Sequence, residues 1–139
     1  MREILFRGKR IDNGEWVYGV PVIGITSGVF MVWIESEAKR GRGELSLRDV
    51  VRQAEIIPET VGQYTGLNDK NGVKIFEGDI LKDSLGWVCL VKWDDSNGRF
   101  LGYHKKPRGD TYVCYVGREP AQEIIGNIHD NPELMGETK

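Results

Sequence analysis

Three Asn-Gly pairs place the strongest limit on how this chain can fold. They are Asn13-Gly14, Asn71-Gly72 and Asn97-Gly98, and each lies between runs rich in β-branched and aromatic residues. Both residues of such a pair tolerate a positive φ, which the tight turn of a β-hairpin requires. Each pair therefore predicts a hairpin, and the chain is expected to fold mainly from short antiparallel strands.

About eight or nine short strands are expected around and between these turns, because the segments are rich in Val, Ile, Phe, Tyr and Trp. The predicted segments are 4–10, 16–20, 29–34, 73–76, 86–93, 99–103, 111–116 and 123–128. So many short strands in 139 residues predict a mostly β fold, an all-β barrel or a packed meander.

The segment 87–93 has apolar residues on both of its predicted faces. Alternation places Trp87, Cys89, Val91 and Trp93 on one face, and the other face is half apolar. A strand of this kind is central in its sheet and covered on each side, or it is covered by a partner subunit.

Two segments depart from the strand pattern. In 47–54, apolar residues recur at i, i+3, i+4 and i+7, which is the spacing of one helical face. Ser46 and Asp49 form an approximate capping box, so a short helix is predicted over 47–54, although two adjacent valines leave a strand open. Near the end of the sequence, Asn131 followed by Pro132 predicts a single helical turn.

Length and composition limit the number of domains and the class of protein. The chain has 139 residues, 40% of them hydrophobic and 29% charged, with a formal net charge of −2. One domain, or one domain with a small lobe, fits this length. The charge balance excludes a general basic coat for nucleic acid and a disordered acidic chain. The charged, glycine-bearing insert 35–44 is expected to be an exposed loop and the seam between an N-terminal β-rich lobe (1–60) and a barrel region (61–139).

The sequence carries no pattern typical of export or membrane insertion. Its longest apolar stretch, 17–25, is broken by two glycines and a proline, whereas a membrane span needs about 20 apolar residues. Cys89 and Cys114 lack Cys-x-x-Cys spacing, so both are expected to be reduced and buried. A cytoplasmic location is therefore expected.

Residues capable of catalysis are present, but their spacing matches no enzyme motif. Carboxylates occur as two pairs, Glu77 with Asp79 and Asp94 with Asp95, which could hold a divalent metal if they converged. Such pairs are more often solvated turn residues, and Asp79 is expected to accept hydrogen bonds from nearby backbone N–H groups. The run 129–131 is interpreted as a helix cap. The sequence therefore predicts no catalytic residue, no metal and no cofactor.

One segment, 99–108, mixes cations with aromatic side chains. Its candidate binding residues are Arg99, Tyr103, Lys105, Lys106 and Arg108. Small β-barrels bind nucleic acid with cations on the phosphates and aromatic faces against the bases. A solvated loop on a near-neutral protein is the simpler interpretation, so a nucleic-acid interface here is an alternative hypothesis.

Five stretches carry a pattern that is specific enough to compare with a family. They are ILFRGKR (4–10), ETVGQYTGL (59–67), DKNG (69–72), IFEGDIL (75–81) and IGNIHDNPEL (125–134). Together they resemble the YopX family, small proteins of phages and prophages in Gram-positive and other bacteria. The resemblance implies a β-rich fold with an SH3-like barrel in its C-terminal part, and assembly into large homo-oligomers. It implies no functional residue, because none is established for the family.

The leading hypothesis is a non-enzymatic phage or prophage accessory protein. It would self-associate and bind a host or phage macromolecule in the cytoplasm of the host bacterium, away from membranes. Strands that are apolar on both faces motivate this hypothesis, because excess apolar surface on a monomer marks an interface. The alternatives are a nucleic-acid-binding β-barrel that uses 99–108 and a metal-dependent hydrolase that uses the paired carboxylates.

Overall fold

In a computed structural model of the chain, residues 2–36, 49–105, 111–116 and 122–136 are described. The strands are β1 (Phe6–Lys9), β2 (Trp16–Ile23), β3 (Val29–Ser36), β4 (Asp49–Ile56), β5 (Gly62–Asn68), β6 (Lys74–Phe76), β7 (Asp79–Lys82), β8 (Val88–Asp94), β9 (Arg99–Lys105), β10 (Thr111–Tyr115) and β11 (Glu123–Asn127). Two short 3-10 helices, Pro58–Thr60 and Pro132–Met135, are the helical segments of these ranges. The prediction of a mostly β fold built from short antiparallel hairpins is confirmed.

The chain divides into two compact units. One, the N-terminal unit, is Leu5–Val61, and the other, the C-terminal unit, consists of Met1–Ile4 and Gly62–Lys139.

In the N-terminal unit, β1 to β4 form a meander in which each strand pairs antiparallel with the next. The β3–β4 pair is the longest, with eight consecutive partners from Val29↔Ile56 to Ser36↔Asp49. One face of the meander is covered, and Met31, Ala54 and Ile56 are buried there. Gly8 lies against this face, where an added Cβ would come 2.6 Å from Ile56 Cδ1.

The predicted helix over 47–54 is wrong in the part that the structure describes. Residues 49–56 form β4, in which Val50 and Ala54 lie on one face and Val51 on the other. Pairing with β3 overrides the weak helical pattern, and stiff β-branched valines suit the pleated strand better than a helix. The predicted loop 35–44 began too early, since β3 runs to Ser36, and the rest of that loop lies outside the described residues.

The C-terminal unit contains the β5–β6 hairpin and a five-stranded antiparallel sheet in the order β10-β9-β8-β7-β11. The strand β8 is central, as the sequence predicted, and Cys89, Leu90 and Val91 are buried on it. A buried cluster lies on one face of this sheet and comprises Ile75, Leu81, Cys89, Val91 and Val116, with Phe100 and Ile124 packed against it. In the described strands the sheet is open, with β10 and β11 at its edges, so the barrel is not closed.

Aspartates and glycines together form the hairpin turns of this unit. Asp69 Oδ1 accepts hydrogen bonds from the backbone N–H groups two and four residues further on, each at 2.9 Å. Asp83 Oδ1 makes the same two bonds at 2.9 Å. Gly72 and Gly86, three residues after each aspartate, have φ of +80° and +85°. The sequence analysis found the first turn through its Asn-Gly pair and missed the second.

The Asn-Gly turns differ in one respect from the expectation. Gly14, Gly72 and Gly98 have positive φ, whereas no residue other than glycine does so in the described ranges. The asparagines therefore keep ordinary backbone geometry, and the glycine alone supplies the left-handed position.

The 3-10 helix Pro132–Met135 confirms the predicted helical turn. Asn131 occupies the N-cap position but makes no side-chain capping bond. Its Oδ1 instead accepts a hydrogen bond from the Asn127 backbone N–H at 3.3 Å. The interpretation of 129–131 as a helix cap is confirmed for the position of Asn131, although its side chain bonds back to the preceding strand.

Candidate functional site

The predicted nucleic-acid residues Arg99 and Tyr103 lie on the same face of β9. Cross-strand register places Lys92 of β8 and Tyr115 of β10 on that face as well. Lys92 Nζ is 5.9 Å from the centre of the Tyr103 ring, and the Arg99 guanidinium carbon is 5.7 Å from that of Tyr115. Cations and aromatic rings therefore alternate across three adjacent strands. Lys106, Arg108 and the side chain of Lys105 lie outside the described part of the chain.

The charge of Arg99 is partly compensated by Asp94. Arg99 Nε lies 3.4 Å from Asp94 Oδ2, which also accepts a hydrogen bond from Asn97 Nδ2 at 3.0 Å. The Asn97 hydrogen bond, and secondarily that of Arg99, lower the pKa of Asp94, which therefore stays ionised through the neutral range. This arrangement weakens the attraction that Arg99 alone would exert on a phosphate.

Asp79 has a structural position, as the sequence predicted. Its side chain is buried, and its Oδ2 accepts a hydrogen bond from the Phe76 backbone N–H at 2.7 Å. Asp94 is directed into its own turn, where Asp94 Oδ1 accepts from the Ser96 N–H at 3.2 Å.

Glu77 is the paired carboxylate with an unusual environment. Burial raises the pKa of Glu77, backbone N–H groups of Gln63 and Trp93 oppose this shift, and the negative charge of Asp95 adds to it. Across the described ranges, no group of three or more His, Cys, Asp or Glu side chains is placed to hold a metal ion.

The N-terminal meander exposes a surface that the sequence analysis did not identify. We name it the apolar face; its residues are Tyr18, Val20, Val22, Phe30, Val32, Ile34 and Val51. Val20 pairs with Val32, Val22 with Phe30, and Ile34 with Val51, so the side chains form contiguous cross-strand pairs.

Five of the seven residues of the apolar face are exposed, and the other two, Phe30 and Val32, are partly buried. Val20, Ile34 and Val51 are 57%, 50% and 67% exposed. The signal for this surface was present in the sequence, because residues 16–23 are apolar at both odd and even positions. The partner strands needed to assemble the face could not be known without the register.

Opposite charges flank the apolar face. On the β1 side, Arg7 and Lys9 lie over the Trp16 ring, at 4.7 Å and 5.9 Å from its centre. On the β4 side, Glu55 shares the face because it pairs with Phe30. The surface therefore has an apolar centre, a basic and aromatic flank, and an acidic flank.

No helix in the described residues is long and apolar enough to cross a membrane. The fold and the exposed surface define a class: a small, mostly β protein whose most extensive candidate site is one face of an antiparallel sheet.

The chain belongs to the YopX family, because the family model described as YopX protein matches residues 5–136. This match confirms the resemblance found in the sequence. The crystal structure of protein EF1440 from Enterococcus faecalis is similar, with a TM-score of 0.55 and 24% identity over 97% of this chain and 99% of that chain. At this level of identity the similarity supports the fold alone. None of the curated proteins compared with this sequence matched it.

Proposed function

We propose that the protein is a non-enzymatic accessory protein of a phage or prophage that self-associates through the apolar face. The observation that carries this proposal is a contiguous set of seven apolar side chains on β2, β3 and β4, five of them exposed and two partly buried. A monomer that leaves this surface in water forgoes about 25 cal/mol for each Å² of apolar area it could bury.

The area of the apolar face is sufficient for a specific interface. The five exposed and two partly buried side chains together present on the order of 500 Å², at the upper end of what a typical monomer leaves uncovered. Two copies packed face to face would bury about 1,000 Å² in total, which is the lower limit for a biological interface. Contacts at the polar rim would add to this area.

The mass in solution tests this proposal. Light scattering coupled to size exclusion, from low to high micromolar concentration, should give at least twice the 15.7 kDa of the chain. The double variant Val20→Lys/Val51→Lys should shift the mass toward 15.7 kDa, because each copy would bury unpaired charges. The control is Leu85→Lys, which removes an apolar side chain that is 80% exposed in a turn of the C-terminal unit.

Three outcomes decide the proposal. Dissociation by the double variant and not by Leu85→Lys supports it. A wild-type mass near 15.7 kDa over the whole concentration range contradicts self-association. Equal masses for the wild type and the double variant, both above that of a monomer, assign the interface to another surface.

The proposed role also includes binding to a host or phage macromolecule, and the protein is proposed to act in the cytoplasm of the host bacterium. Affinity capture of the tagged protein from bacterial lysate should retain a discrete partner with the wild type and with Leu85→Lys. The identity of that partner would assign the pathway in which the accessory protein acts.

A nucleic-acid-binding role is a second candidate. The observation that favours it is that Lys92, Arg99, Tyr103 and Tyr115 share one sheet face, with cations and rings interleaved. Fluorescence anisotropy with a labelled single strand should show affinity that falls steeply with salt. Lys92→Glu/Arg99→Glu should abolish binding, and so should Lys105→Glu/Lys106→Glu/Arg108→Glu.

The matched control for nucleic-acid binding is Lys70→Glu, because Lys70 lies in the 69–73 turn beside Glu123. If Lys70→Glu loses binding as much as the multiple variants do, the binding depends on the net charge of the protein alone. Binding unchanged in both multiple variants rules out this face as the interface.

A further inference from the structure

A pocket of about 230 Å³ opens on the C-terminal unit, and Gln63, Glu77, Trp93 and Phe100 line it. Trp93 pairs with Phe100 across β8 and β9, one position away from Lys92 and Leu101. Because successive side chains of a strand point to opposite faces, the pocket lies on the face opposite Lys92 and Arg99. It is therefore distinct from the basic and aromatic face of β9.

Two aromatic rings form one wall of this pocket. The centres of Trp93 and Phe100 are 4.9 Å apart, and their planes meet at 67°. Phe100 packs against the buried cluster of the sheet, which holds its ring in place, whereas Trp93 is 43% exposed at the mouth. The faces of such rings carry partial negative charge and attract cations.

Glu77 also lines the pocket, and it lies in a tightly held turn. The Glu77 backbone N–H donates to the Gln63 carbonyl at 2.9 Å, and the Gly78 N–H donates to the Val91 carbonyl at 2.9 Å. Gly62 lies so close that an added Cβ would stand 2.5 Å from the Glu77 carbonyl oxygen. The fold thus fixes the backbone from which the Glu77 carboxylate reaches the pocket.

The electrostatics of the pocket favour a positively charged ligand. Glu77 is half-buried, and the nearby charge of Asp95 is also negative. The ion pairs of Arg10, Arg52, Lys70, Lys74 and Arg99 are made with carboxylates other than Glu77. A cation that entered the pocket would lie close to this carboxylate and to the two aromatic rings.

We propose that this pocket binds an alkylammonium group, either of a small free amine or of a lysine side chain. The volume of about 230 Å³ corresponds to about eight water molecules, each with a share of about 30 Å³. That space accommodates a group of a few non-hydrogen atoms and is below the roughly 300 Å³ of typical metabolite pockets. The amide of Gln63 adds a carbonyl acceptor for an N–H of the ligand.

Titrations followed by NMR of the tryptophan indole N–H signals test the proposal. The probes are choline, its uncharged isostere 3,3-dimethylbutan-1-ol, and lysine capped at both ends. Choline or capped lysine should shift the Trp93 signal, which is assigned by its loss in Trp93→Leu. The uncharged isostere should bind about tenfold more weakly than choline, because it lacks the cation–π and ionic attraction.

Variants separate the pocket from a general surface effect. Glu77→Gln keeps the shape of the side chain and should weaken choline binding about tenfold. The control is Trp87→Leu, which removes an exposed tryptophan that contacts His104 and lies outside the pocket. Wild-type-like spectra elsewhere in the protein would show that each variant folds.

Each outcome decides one part of the proposal. Tighter binding of choline than of capped lysine indicates a free amine as the ligand, and the reverse indicates a lysine of a protein. Equal binding of choline and its uncharged isostere overturns the assignment to a cation. The absence of shifts at millimolar choline and capped lysine overturns the site itself.

Discussion

The two units of the chain use their apolar residues differently. In the C-terminal unit, the described buried apolar side chains lie on both faces of the five-stranded sheet, with Val91 on one face and Leu90 and Leu101 on the other. In the N-terminal unit they are confined to Met31, Ala54 and Ile56, on a single face of the meander. On β2 and β3, Tyr18, Val20, Val22, Ile23 and Ile34 are exposed, and the other apolar side chains except Met31 are partly buried.

This difference in burial determines how each sheet can gain stability. A sheet buried on both faces gains stability by folding alone, because its apolar area leaves water within one chain. A meander with an apolar outer face reaches the same gain only by contact with another surface. The C-terminal unit therefore has the character of a folded core, whereas the N-terminal unit leaves apolar area that contact with another surface could bury.

Shortening a buried side chain in the core of the C-terminal unit should produce the largest change in stability. Leu81 is completely buried in the cluster beneath the sheet. Leu81→Ala should lower the free energy of unfolding by ~2–5 kcal/mol, because it removes contacts and leaves a cavity. Ile34→Ala on the apolar face should cost below ~1 kcal/mol, since Ile34 is half-exposed in the single chain. Urea denaturation at low protein concentration, where association is suppressed, measures both, and equal losses would contradict the contrast between the units.

The next largest losses of stability should come from adding a Cβ at glycines that lie close to neighbouring atoms. An added Cβ at Gly62 meets a carbonyl oxygen at 2.5 Å, whereas one at Gly8 meets the tip of the Ile56 side chain at 2.6 Å. Gly62→Ala should therefore cost roughly 3 kcal/mol and Gly8→Ala roughly 1 kcal/mol, because a side-chain end moves more easily than backbone. Thermal unfolding of the two variants makes the comparison. A larger loss for Gly8→Ala would mean that the N-terminal unit is the more tightly packed.

The carboxylate of Asp69 should make the stability of the C-terminal unit depend on pH. Burial alone would raise the pKa of Asp69, but hydrogen bonds from the backbone N–H groups of Val73, Ile124 and Asn71 outweigh it and lower the pKa. The ionised carboxylate therefore contributes stability above its unfolded-state pKa of about 3.9, and this contribution is lost as pH falls through the lower folded-state pKa.

Denaturation of the wild type and Asp69→Asn between pH 6 and pH 2 tests this dependence. The variant should be less stable at pH 6 by ~1–3 kcal/mol and should converge on the wild type in acid. The control in the N-terminal unit is Asp12→Asn. Arg10 lowers the pKa of Asp12 through a side-chain hydrogen bond, but the pair is on the surface and its loss should be small. A larger pH effect at Asp12 would reverse the expected order.

The smallest change in stability should come from the apolar face itself. Val51→Thr keeps a β-branched side chain, so the unfolding free energy of the monomer should stay within ~0.5 kcal/mol of wild type. The dissociation constant of the oligomer, measured by sedimentation equilibrium, should rise, because the hydroxyl group would be buried without a partner. An unchanged dissociation constant would place Val51 outside the interface.

Local chemistry made part of this fold predictable from the sequence. The Asn-Gly turns, the central position of β8 and the helical turn at Pro132 depend on neighbouring residues, and each was found. The strand at 49–56 was predicted as a helix because its identity depends on pairing with β3, a non-local interaction that no short window contains.

The candidate sites were harder to predict for the same reason. The apolar face requires the register of three strands, and the pocket combines Gln63 of β5 with Phe100 of β9. Asp79 was assigned correctly because its hydrogen-bond partner, Phe76, lies in the same turn. Glu77 was placed with the turn residues because its burial arises from distant strands.

The order of strands in the C-terminal sheet has a consequence for synthesis of the chain. The strands β1 to β4 pair in sequence order, and an antiparallel bridge joins Arg10 to Ile56, so these pairings of the N-terminal unit can form once residues 5–61 have left the ribosome. The strand β7 must wait for β11, its partner on one side, until some forty further residues have been made. During that interval the meander already presents its apolar face, so nascent chains on neighbouring ribosomes can meet through it before their own cores are complete.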